Sequence, residues 1–134
     1  MKRHAERTRL LGELKGSLHF VHAYSIIDML EKIERIEEYT SGHSCESFAA
    51  NRMAVDAVIR NLHVIGNTAC SLPEAVRKGN AHIPWSHMEN YVAWAHYNDV
   101  YAPRVWETIK QELPLLVEPF SRLLESFRTT QPTL

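Results

Sequence analysis

The chain has 134 residues, 45% of them hydrophobic, with fifteen Lys and Arg against sixteen Asp and Glu for a formal charge of −1. That is the composition of one globular domain with no room for a second, and a balance so close to zero excludes recognition of nucleic acid or membrane by net charge alone. Cys45 and Cys70 have neither the number nor the spacing of a disulfide framework or a zinc site. No apolar run approaches the roughly 20 residues that cross a bilayer. The expectation is therefore a soluble, cytoplasmic protein that carries no signal peptide.

Five basic residues, Lys2, Arg3, Arg7, Arg9 and Lys15, stand against Glu6 and Glu13 in residues 1–16, which makes that segment +3 and leaves ten basic and fourteen acidic residues, or −4, for the rest. Two readings fit: a basic arm that touches RNA phosphates, or a solvated extension. Gly12 and Gly16 weaken any helix there. From about residue 20 the pattern is helical, with Ile26, Met29, Leu30, Ile33 and Ile36 at three- and four-residue steps, ending at Thr40-Ser41-Gly42. Ser44 is placed to cap a short helical run through Phe48. Val55, Val58, Leu62, Ile65 and Ala69 then form one stripe with bundle-seam spacing.

The Ser71-Leu72-Pro73 break permits a short turn of helix through Arg77, and a new helix opens near Ser86. Pro103 suits the first turn of a last long helix carrying Val105, Trp106, Ile109, Leu113, Leu116, Phe120, Leu123 and Phe127, which Pro114 and Pro119 should kink or interrupt. Nowhere do β-branched and polar residues alternate over strand length. The expected fold is all-α, an up-and-down bundle of about four main helices.

Eight His is the compositional oddity, since imidazoles serve as acid, base or ligand near neutral pH. His19 with His22 and His82 with His87 lack a carboxylate or thiol at a supporting spacing, so no metal and no other cofactor is expected. His63 is offset from the Val55 to Ala69 stripe and reads as a packed or exposed side chain. There is no Gly-rich phosphate loop, no His-Glu-x-x-His pair and no Ser nucleophile elbow.

The cluster from Glu89 to Tyr97 is richer in chemistry. On a helix, Asn90, Trp94 and Tyr97 share one face, and Glu89 and His96, seven apart, also project together. A His beside a polar partner and a phenol can take a proton from a ribose 2′-hydroxyl or give one to a leaving 5′-oxygen. The plainer reading makes Tyr91 and Trp94 core or interface aromatics.

Four blocks carry a resemblance: Asp28 through Thr40, Asp56 through Gly66, Ile83-Pro84-Trp85, and Val105 through Ile109 with Leu113-Pro114. In order and spacing they resemble the HepT-like toxin family of the HEPN superfamily. The resemblance covers about residues 20–128, leaving 1–19 as a basic N-terminal extension and 129–134 as a tail. It implies a small helical bundle that forms a homodimer. It also implies a metal-independent ribonuclease, neutralised when a minimal nucleotidyltransferase antitoxin, MntA, transfers AMP to a Tyr. The family motif is an Arg, usually followed by a polar residue such as Asn, then a His four to six residues after the Arg, then one residue and a Tyr.

Carried over, Asn90 takes the polar position, His96 the His as general acid or base, and Tyr97 the nucleotide acceptor, with Tyr101 or Tyr91 as alternatives if the register differs. Glu89 occupies the place of the Arg, and His96 and Tyr97 are adjacent where the family separates them by one. A Glu repels the scissile phosphate that Arg would hold, and loss of such a stabiliser costs on the order of 100-fold to 1,000-fold in rate. A compensating Arg from Arg60, Arg77, Arg104 or the facing subunit would restore it.

RNA contacts are expected from patches around Arg52, Arg60, Arg77 and Lys78. The competing reading is a catalytically degenerate relative that acts as a nucleotidyltransferase partner or RNA-binding module. A purely structural bundle is the third.

Overall fold

A computed structural model describes residues 2–16, 19–94 and 101–129. Among these the chain forms eight helices and no strand: α1 (Lys2–Leu14), α2 (Phe20–Thr40), α3 (Cys45–Ala50), α4 (Arg52–Ser71), α5 (Glu74–Lys78), α6 (Trp85–Trp94), α7 (Ala102–Gln111) and α8 (Leu113–Thr129). The all-α expectation holds. The C-terminal helix is interrupted, as its prolines predict, with the chain dividing at Glu112. Pro114 lies in the first turn of α8, where its missing N–H costs nothing, whereas within one continuous helix its ring would clash with the carbonyl four residues earlier. Pro119 is accommodated inside α8.

Local chemistry sets the boundaries. Gly42, at φ 78°, takes the left-handed turn that ends α2. Ser44 and Ser47 form a reciprocal capping box at the start of α3, and Asn51 Oδ1 accepts from the Ala54 N–H at the start of α4. The predicted stripe of α4 is buried along its whole length, as are Ile26, Met29, Leu30, Ile33 and Ile36 of α2. These two long helices pack together, and α4 packs most extensively against α6.

The basic N-terminal segment is helical through Gly12, contrary to the weakening expected there. Leu10 and Leu14 supply the reason: both are buried, Leu14 completely, in the core shared with α2 and α8. Each such side chain contributes roughly 1.5–3 kcal/mol on burial, more than the roughly 1 kcal/mol that a helical Gly costs. Two of the segment's charged side chains, Arg7 and Glu13, are also ion-paired. Arg7 bonds Glu34, His4 Nδ1 lies 3.7 Å from Glu31 Oε1, and Arg128 Nε of α8 donates to Glu13 at 2.8 Å.

Candidate functional site

Helix α6 carries Glu89 and Asn90, and its seat is set by a glycine. A Cβ added to Gly66 of α4 would lie 2.4 Å from the Met88 carbonyl oxygen, 2.9 Å from Val92 Cγ2 and 3.2 Å from Tyr91 Cβ. The two backbones therefore touch, with Met88 and Tyr91 buried on the facing side and His87, Glu89 and Asn90 exposed on the other. The preceding loop is held by side-chain donors: the Trp85 indole N–H donates to the Asn80 carbonyl at 3.1 Å and Asn80 Nδ2 to the Val76 carbonyl at 2.8 Å.

Tyr91 is 1% exposed, and its hydroxyl donates to Glu112 Oε1 at 2.9 Å. Burial pushes the phenol's pKa well above its usual range, and the hydrogen bond to Glu112 and that residue's charge push it further. Thr108 Oγ1 donates to Glu112 Oε2 at 3.4 Å, and His87 Nδ1 lies 3.6 Å from Oε1. Trp94 packs against the Tyr91 ring, centroids 5.6 Å apart. The plainer reading of Tyr91 as a core aromatic is thus the observed one. As an alternative nucleotide acceptor it is shielded, whereas Tyr101, at the start of α7, is 72% exposed.

A second group meets at the corner of α4, α5 and α6. Cys70 is exposed; partial desolvation raises its thiol, the negative charge of Glu89 raises it further, and Arg77 opposes them. Arg77 and Glu89 thus bear on Cys70 with opposite sign. Arg77 Nε donates to the Leu72 carbonyl at 3.2 Å, which fixes the guanidinium at the end of α4. Lys78 is exposed and paired with Glu74 at 3.0 Å. Arg60 is also exposed, but ten residues of α4 separate it from Cys70, about 15 Å of helix rise. His96 and Tyr97 lie outside the described residues.

Among the described residues no group of three or more His, Cys, Asp or Glu is arranged to hold a metal ion. No helix among them is long and apolar enough to cross a membrane. A cleft between α1, α2 and α8, lined by Arg7, Arg9, Leu10, Leu30, Leu124 and Arg128, shares no residue with the α6 face, and carboxylates already engage Arg7 and Arg128.

Sequence reasoning missed Glu112 as the partner of Tyr91, since 21 residues separate them and no periodicity links them. The glycine inside the α4 stripe was an available signal, because a helical Gly without a turn to make marks close backbone approach.

Residues 29–123 match the profile of the family described as Ribonuclease HepT-like. Among curated proteins, the chain is 30% identical over 105 residues to a Thermococcus cleftensis protein named "probable ribonuclease HepT", covering 76% of this chain and 94% of that one. It is 33% identical over 99 residues to a Methanocaldococcus jannaschii protein whose name joins gamma-glutamylcyclotransferase with RNase. That match covers 72% of this chain but only 45% of the relative. A second M. jannaschii protein named as an RNase is 29% identical over 103 residues, covering 75% and 84% of the two chains. No solved structure matches the chain.

Proposed function

The chain belongs to the ribonuclease HepT-like family, and from that premise we propose that it is the toxin of a toxin–antitoxin pair, a metal-independent RNA endonuclease that works as a homodimer. His96 takes the proton of a ribose 2′-hydroxyl. The O2′ then attacks the adjacent phosphorus, the P–O5′ bond breaks, and the departing O5′ takes a proton, leaving a 2′,3′-cyclic phosphate and a 5′-hydroxyl. Asn90 orients the phosphate or the imidazole. A cognate minimal nucleotidyltransferase of the MntA type restrains the toxin by transferring AMP to Tyr97, which adds bulk and negative charge where RNA must lie.

One observation carries this reading. Helix α6 is seated on α4 with Glu89 and Asn90 facing outward, and it runs to Trp94, two residues short of His96. Arg77, held at the end of α4 by the Leu72 carbonyl, is favoured over Arg60 as the cation that replaces the missing motif Arg.

A second reading rests on Glu89 itself. It is exposed and forms no ion pair with the described residues, and it puts a negative charge where the family presents a positive one. The other offsets the motif permits, positions 90 and 91, hold Asn and Tyr, and His96 and Tyr97 are adjacent where the family separates them by one residue. Those departures describe a degenerate member that serves as a nucleotidyltransferase partner or RNA-binding module.

Incubation of purified protein with tRNA and mRNA in EDTA separates the two. The nuclease reading expects cleavage by wild type that His96→Ala lowers by about 100-fold or more and that Glu89→Arg leaves within about threefold, because the cation is already supplied elsewhere. Equal behaviour of wild type and His96→Ala would sink it. Silence from wild type with new cleavage by Glu89→Arg would establish the degenerate reading.

A further inference from the structure

We infer that Glu112 is a positioning residue for the α6 site: its carboxylate, held at the joint between α7 and α8, fixes the rotation and seat of α6 through the buried Tyr91 hydroxyl. This rests on the functional reading of α6. Glu112 is the single residue between the two helices. A residue preceding a helix is ordinarily a short Ser, Thr, Asp or Asn that folds back onto the first N–H groups. Glu112 instead reaches away, receiving the Tyr91 hydroxyl on Oε1 at 2.9 Å and the Thr108 hydroxyl on Oε2 at 3.4 Å. His87 Nδ1, one turn before Tyr91 on α6, lies 3.6 Å from the same Oε1. Two successive turns of α6 thus converge on one carboxylate.

The geometry leaves α6 little freedom. Gly66 sets how close it comes to α4, but contact with a glycine restrains approach, not rotation. The bond from Tyr91 to Glu112 supplies the rotational stop, because turning α6 about its axis would carry a buried hydroxyl away from its acceptor and leave it unsatisfied. Glu89 and Asn90, the two residues before Tyr91, are directed by that stop. Reacting groups displaced by about 1 Å can lose 100-fold in rate.

The experiment compares wild type, Glu112→Ala, Glu112→Gln and Tyr91→Phe at a temperature where all are folded. Backbone amide shifts are recorded by NMR alongside kcat and KM for RNA cleavage in EDTA. Gln retains an acceptor for the Tyr91 hydroxyl and Ala does not. Expected are amide shifts spreading over residues 86–94 in Glu112→Ala and Tyr91→Phe, with kcat lowered about 10-fold to 100-fold at KM within about threefold. Glu112→Gln should return both readouts to within about threefold of wild type. If Glu112→Ala does not fold, Tyr91→Phe carries the same comparison. Shifts confined to residues 108–116, or equal losses in the Ala and Gln variants, would overturn the inference. Absence of cleavage by wild type would overturn the nuclease reading instead, while the amide shifts would still decide whether Glu112 seats α6.

Discussion

Gly66→Ala should be destabilising although it replaces the second-worst helix residue with the best. On propensity alone the change gains about 1 kcal/mol. The new methyl, however, would sit 2.4 Å from the Met88 carbonyl oxygen, and ordinary contact begins at 3.4 Å, so α4 and α6 must part by about 1 Å. The obstacle is backbone, and no rotamer change relieves it. Overpacking of this kind costs up to about 3 kcal/mol, which leaves a net loss of about 2 kcal/mol after the propensity gain. For a chain of this length that lowers Tm by roughly 8 °C. Urea and thermal denaturation of Gly66→Ala measure it. Gly12→Ala is the control, since nothing lies within 4 Å of a Cβ there and the same substitution should raise stability by up to about 1 kcal/mol. A Gly66→Ala protein as stable as wild type, or more stable, would refute the close approach of α4 and α6.

Removing the buried hydroxyl in Tyr91→Phe should cost about 1–2 kcal/mol at neutral pH, read from urea midpoints. The folded pKa of Tyr91 lies above its unfolded value of about 10, so between them the unfolded chain binds fewer protons than the native one. The stability linked to that proton is fully present below about pH 10 and is lost as pH rises toward the folded pKa, at up to about 1.4 kcal/mol per pH unit. Wild type should therefore lose stability above pH 10 more steeply than Tyr91→Phe, and parallel profiles would contradict the assignment. Leu14→Ala should destabilise by about 2–4 kcal/mol in urea, since the side chain is fully buried; an unchanged midpoint would mean that α1 does not dock on the core.

Where a fold is written in periodicity, the sequence reveals it. The stripes of α2 and α4, the Ser44 cap and the Gly42 stop all depend on neighbours within a few positions, and all are found in the structure. The docking of α1 was hidden because it depends on two leucines four residues apart among charges, and on ion-pair partners as distant as Arg128. The boundary at Glu112 was legible only as a proline effect, while its role as an acceptor depends on a Tyr in another helix. At the site, the sequence identified α6 and the oddity of Glu89. That Arg77 joins this corner while Arg60 stands along α4 follows from how α5 folds back onto the Leu72 carbonyl, which no local pattern encodes.

The bond between Glu13 and Arg128 spans 115 positions of sequence. Such a contact has to close almost the entire chain into one loop, so it forms late, after the local helices and the α2–α4 pairing are in place. What closes last with few contacts tends to open first. The seam where α1 meets α8 is therefore the natural starting point for breathing of the fold. Hydrogen exchange is expected to begin there, with the α4–α6 pair, in backbone contact at Gly66, protected longer.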